Sequence, residues 1–152
     1  MNPVQVTWSV LAAARAFFEE QGAQGLEGTA LIAAPDGGPA DRLVVPTQQA
    51  HRAGGGCWVE VPLAGKLECT AALRPGERYV ARIHSHPGEA FHSAADDRNP
   101  ALTHQGAVSI VVPYFGLGLR RGLDACAVFV LRGTRWVELP AGPARAAWIR
   151  TA

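Results

Sequence analysis

The stretch that most constrains this chain is Tyr79-Val80-Ala81-Arg82-Ile83 running straight into His84-Ser85-His86-Pro87. The first five residues read as a strand, and alternate strand residues share a face. His84 and His86 therefore point the same way and Ser85 the other. Pro87 cannot donate to a sheet ladder and ends the strand. A loop of Gly88, Glu89, Ala90, Phe91 and His92 follows, and Ser93 opens a predicted helix with Asp96 one turn in. Ser93 and Asp96 fit a capping box, and a capped helix start is a rigid place for a ligand. Two imidazoles on one face and a carboxylate brought back over them supply three ligands to a tetrahedral zinc ion. That leaves a fourth position open, which is the mark of a catalytic site, since structural zinc is closed by four protein ligands.

The rest of the sequence supplies a frame for this stretch. At 152 residues, with 48% apolar and 18% charged side chains, the chain is expected to form one globular domain over 1–152. A formal net charge of +1 leaves no electrostatic footprint for nucleic acid or a membrane surface. No apolar run approaches the ~20 residues that span a bilayer, and the N-terminus lacks a basic segment followed by an apolar one, so no signal peptide is expected. Cys57, Cys69 and Cys126 form no Cys-x-x-Cys pair. They read as buried free thiols in a reducing cytoplasm.

Taken in order, Trp8 to Gln21 has helical spacing, with Thr7 as N-cap, Gly22 as stop, and Trp8, Leu11, Ala14 and Phe18 as core. Gly28 to Ala34 reads as a strand closed by the turn cluster Pro35-Asp36-Gly37-Gly38-Pro39, and Arg42 to Pro46 as its return. His51 to Gly56 reads as a loop and Trp58 to Val61 as a strand. Lys66 to Leu73 is either a short helix or irregular. Asn99-Pro100 can restart a helix ending near Gly106. Ala107 to Val112 is the best buried strand. Residues 113–122 read as a loop, either simply folded down or presenting a surface to an extended chain or protein partner. Ala125–Leu131 and Arg135–Leu139 form a hairpin, and a final helix is expected from Pro143.

His-x-His-Pro, a loop and then Ser-x-x-Asp resemble the motif of the JAMM (JAB/MPN) zinc metallopeptidases. The resemblance implies a three-layer α/β/α fold around a curved mixed sheet. It implies one Zn2+ held by His84, His86 and Asp96, with the adjacent Asp97 as the alternative to Asp96. It also asks for an upstream glutamate, for which Glu27 in Leu26-Glu27-Gly28-Thr29-Ala30-Leu31-Ile32 is the candidate; Glu19, Glu20 and Glu60 have weaker contexts. In this reading zinc lowers the pKa of water from ~15.7 to about 7. Glu27 takes the proton and passes it to the leaving amine, and Ser93 helps hold the oxyanion. His92 and Asp97 are near enough to orient ligands, though plain surface roles suit them better.

The resemblance further implies cleavage after the C-terminal diglycine of ubiquitin or a ubiquitin-like protein, in a compact bacterial enzyme of the cytoplasm. Activating and conjugating enzymes of the same pathway are the expected partners. The cytidine-deaminase and His-Glu-x-x-His signatures are both absent. The alternative from another class is a metal-free scaffold subunit with the same fold.

Overall fold

The computed structural model describes residues 2–91 and 102–152. The outcome for Ser93, Asp96, Asp97 and His92, and for the helix start at Asn99-Pro100, lies outside the described residues.

The elements are β1 (Val4–Val6), α1 (Trp8–Gly22), β2 (Thr29–Pro35), β3 (Arg42–Val44), β4 (Gln49–Ala53), β5 (Gly56–Glu60), α2 (Leu63–Ala72), β6 (Glu77–Ser85) and β7 (Val108–Val112). A run of 3₁₀ turns, Tyr114–Ala125, leads to β8 (Ala127–Arg132), β9 (Arg135–Glu138), α3 (Pro143–Ala146) and β10 (Ile149–Thr151). Six strands form one mixed sheet in the order β3-β2-β6-β7-β8-β9. Its β6–β7 pair is parallel, and the other four pairs are antiparallel. The strand that carries the histidines is therefore interior, flanked by β2 and by the wholly buried β7.

Strand alternation divides the core between the two faces. Ala30, Ile32, Ile83, Val108, Ile110, Val112, Val128 and Val130 pack with Val10, Leu11, Ala14 and Phe18 of α1. On the other face Leu31, Val44 and Leu131 gather with Cys69 and Ala72 of α2. The result is the expected three-layer α/β/α arrangement with a mixed sheet.

Several local expectations are corrected. Residues 51–56 are not all loop. Gln49–Ala53 is a strand paired with Gly56–Glu60, joined through Gly54 and Gly55 at φ +60° and +79°, the left-handed pair of a tight hairpin turn. The Lys66–Leu73 question resolves as the ten-residue helix α2. The described end of the predicted 99–106 helix, residues 102–106, is not helical. The 113–122 segment is wound into 3₁₀ turns rather than an open loop. Trp8, expected in the core, is 62% exposed. The C-terminal helix is a single turn, and the chain then pairs β10 in parallel with β1, tying the two ends together. Among the described residues, no helix is long and apolar enough to cross a membrane.

Candidate metal centre

His84 and His86 stand on the α2 face of the sheet, at the end of β6, and both are buried. Their Nε2 atoms are 3.2 Å apart and their ring planes cross at 55°. Two nitrogens each ~2.0–2.1 Å from a tetrahedral zinc stand roughly 3.3–3.4 Å apart. The pair is thus spaced to share one ion, and the same distance lets one ring donate to the other when no ion is bound. Phe91 packs edge-on to His86 at 4.7 Å between centroids and covers that ring from the solvent side.

Backbone ladders on both sides hold the pair in place. His84 is in register with Thr29 on β2 and Val111 on β7. The His86 N–H donates to Val112 O at 2.9 Å, and its carbonyl accepts from Phe115 N–H at 2.8 Å. The Tyr114 N–H reaches Gly88 O at 3.0 Å, so the turn after β7 clamps the segment that follows the histidines. Making these contacts puts Tyr114 and Phe115 at φ +55° and +51°, a region that non-glycine residues occupy at a cost of about 1–2 kcal/mol each. The 113–122 segment is therefore part of the support of the site, a role that its composition did not disclose.

Glu27 is brought to the histidines by Ser85, the residue between them. Ser85 is fully buried on the α1 face. Its Oγ accepts from the Gly28 N–H at 2.9 Å, and its own N–H donates to Gly28 O at 3.0 Å. From the α1 side, a side chain on Gly28 would meet the Phe17 ring at 2.6 Å and Phe18 at 3.2 Å. Gly28 is thus wedged between α1 and β6. Continued two steps beyond the Thr29–His84 pair, through Gly28 and Ser85, the same register sets the Glu27 backbone opposite His86. The β4–β5 hairpin packs on the segment that leads to Glu27. Cys57 on β5 donates to Gly25 O at 3.6 Å, and burial, with the Glu27 charge second, pushes its thiol pKa up against an opposing pull from Arg52.

Of the weaker glutamates, Glu19 pairs with Arg120 at 3.1 Å and Glu60 lies 3.4 Å from His51. Neither belongs to the site. Cys69 and Cys126 are buried free thiols, while Cys57 is half-buried. Among the described residues no third His, Cys, Asp or Glu joins the histidine pair to make a metal cluster; Asp96 and Asp97 lie outside them. The two donors that are described, a pair of imidazole nitrogens 3.2 Å apart, have a spacing compatible with zinc.

Sequence reasoning did not single out Ser85, Gly28 or Cys57. The only available signal for Ser85 was that a serine between two ligands, facing the other way, must find a partner once buried.

The described part of the site is thus a buried histidine pair at the end of an interior strand, on a mixed sheet layered between helices, with the residue after Glu27 tied to the serine between the histidines. No family model matches the chain. It is 33% identical over 133 residues to a protein of Sinorhizobium fredii named probable metalloprotease y4jG, covering 83% of this chain and 80% of that one. The fold is similar to AF2198, a JAB1/MPN domain protein from Archaeoglobus fulgidus, with a TM-score of 0.53 at 16% identity over 92% of this chain and 98% of that one. It is also similar to DSY2949 from Desulfitobacterium hafniense, with a TM-score of 0.58 at 17% identity over 98% and 92% of the respective chains. The chain belongs to the JAB1/MPN (JAMM) metalloprotease family.

Proposed function

We propose that the protein is a zinc-dependent peptidase or isopeptidase that cuts after the C-terminal diglycine of a ubiquitin-like protein. The observation that carries the reading is the buried His84–His86 pair, Nε2 to Nε2 3.2 Å, with Gly28, the residue after Glu27, held to Ser85 between them. The kinship with a probable metalloprotease supports the hydrolytic class.

In this reading His84, His86 and Asp96 hold one zinc. When bound, the ion supplies Lewis-acid polarisation and lowers the pKa of water. Glu27 receives the proton of the attacking water and delivers it to the departing amine. The residues on either side of it are held, Leu26 N–H by Gln21 O and Gly28 by Ser85, which limits the drift of its backbone between the two transfers. Ser93 donates its hydroxyl proton to the oxygen on which charge develops, an interaction worth about 10²–10³ in rate. The β4–β5 hairpin has no further strand beside it among the described residues and packs on the segment that leads to Glu27. Its edge offers free backbone groups to an extended chain. A diglycine has no side chains to obstruct close approach to the buried histidines, which suits such a tail. The cytoplasm, where a ubiquitin-like protein and its activating and conjugating enzymes would meet this chain, is the matching location.

The test is zinc content by elemental analysis, combined with cleavage of a ubiquitin-like protein fused through its diglycine to a reporter. Wild type and Glu27→Ala should each hold about one zinc, and His86→Ala should hold almost none. Only wild type should cut. If wild type takes up no zinc when supplied with it, the peptidase reading falls and a metal-free scaffold takes its place. Loss of zinc from Glu27→Ala would make Glu27 a ligand rather than the base.

A further inference from the structure

At the opposite end of α1 from the Gly28 wedge, a cavity of about 280 Å³ lies where the C-terminal turn meets the 3₁₀ segment. It is lined by Arg121, Arg145 and Arg150, with Asp124 and Trp8 also in its wall. None of the residues assigned to the metal centre lines it.

Arg145 is the unusual member. It is 4% exposed. Its Nε donates to Leu139 O at 2.9 Å and its Nη1 to Leu123 O at 2.6 Å. Those two bonds explain why an arginine ties this turn together, but they give its charge no direct ion pair. Among the described residues no carboxylate lies within ion-pair distance of Arg145, Arg121 or Arg150, Asp124 included. Nη2 has no hydrogen-bond partner there either. It is not among the fully enclosed orphan atoms, and Arg145 is a lining residue of the cavity. Burial disfavours its charge, and Asp124 and Glu138 answer it only from beyond ion-pair distance; a planar guanidinium fork is the geometry that takes an oxyanion.

We infer that this cavity is an anion site, and that its ligand is the doubly charged phosphate group of a small phosphate monoester. The lining itself carries three arginines against one aspartate, with Glu138 acting on Arg145 from outside it, so the cavity stays positive; the three terminal oxygens of a phosphate match three guanidiniums, where a carboxylate offers two. Size agrees. At ~30 Å³ per water the cavity holds on the order of nine, enough for a phosphate with a small body attached. Arg121 and Arg150 are exposed and free to close on the anion, while Arg145 is already fixed, so part of the ordering cost of binding is met in advance. Trp8 stands 62% exposed at the rim, its indole edge 3.7 Å from the position of a Gly122 Cβ, and its environment changes when the cavity fills.

The experiment titrates the intact protein with inorganic phosphate, and separately with acetate, at constant ionic strength. Calorimetry gives the affinity, and the Trp8 indole N–H resonance, assigned by Trp8→Phe, gives the location. Saturable phosphate binding that moves the Trp8 signal, with acetate at least tenfold weaker, is expected. Arg121→Ala combined with Arg150→Ala, both at exposed positions that leave the fold intact, should weaken phosphate at least tenfold. Arg145→Lys, if it folds, should do the same while keeping the charge, because the fork is lost. Equal binding of phosphate and acetate, phosphate binding unchanged in the double variant, or no movement of the Trp8 resonance would each overturn the assignment.

Discussion

Gly28→Ala tests whether the close approach of α1 positions Glu27. An added Cβ would stand 2.6 Å from Phe17 Cε1 and 3.1 Å from Phe17 Cζ, with Phe18 Cδ1 at 3.2 Å. Phe18 is fully buried and cannot retreat; Phe17 is only half-buried. The Phe17 ring must therefore give way by about 1 Å, or the Glu27–Gly28 peptide must lift off β6. Overpacking of this kind costs ~1–3 kcal/mol. Gly28 does not sit at positive φ, so the alanine adds no backbone strain, and the entropy it removes from the unfolded chain contributes ~0.4–1 kcal/mol the other way. The expected net loss is about 1–2 kcal/mol, read by urea unfolding. Turnover should fall further than stability, since a 1 Å displacement of a catalytic group can cost about 10²-fold. Phe17→Leu removes both ring atoms that clash. In that background Gly28→Ala should become close to neutral, giving a coupling of at least ~1 kcal/mol in a double-mutant cycle. If the two substitutions are additive, the wedge does not exist and Glu27 is held by something else.

Further outcomes follow from other contacts. Ser85→Ala leaves the buried Gly28 N–H without its side-chain acceptor; it should cost about 1–3 kcal/mol and lower turnover while zinc content stays unchanged, and loss of zinc would show that Ser85 supports the histidines instead. Glu77 accepts from Arg42 and from the Arg74 N–H, which lowers its pKa from the ordinary 4.5 to about 2. Because the folded-state pKa is the lower one, the stabilisation is complete above pH 4.5 and is lost as pH falls toward about 2. The stability gap between wild type and Glu77→Gln should shrink through that window, and a gap that stays constant with pH would contradict it. Tyr114→Asn places at φ +55° a residue that tolerates this region. It should leave stability unchanged or raise it by up to ~1 kcal/mol, and a clear loss would mean that the Tyr114 side chain has a contact that outweighs the strain.

What was legible in the sequence was whatever short-range chemistry encodes. Thr7 caps α1 through Val10 N–H as its residue type predicts, the histidine strand runs to Ser85 as its alternation predicts, and Val108–Val112 is the buried strand that its unbroken apolar run announced. The β4 strand was hidden because Ala50-His51-Arg52 has neither apolar alternation nor β-branched residues. Its pairing comes from the turn at Gly54-Gly55. The strand at each terminus was hidden for another reason: three residues carry too little pattern to be seen, and each exists only because the other end of the chain lies beside it.

The sequence alone determined the face on which two imidazoles sit, since period-two alternation is a property of the backbone and needs no partner. Tertiary structure decided what stands around them. Ser85 and Gly28 are 57 residues apart, and the three arginines of the cavity come from two separate segments. Such meetings depend on how the sheet orders its strands and where α1 lies on it, which no local pattern specifies. A residue's intrinsic preferences reach a few positions along the chain, whereas a binding site is assembled from side chains that only the packed core brings within hydrogen-bonding distance.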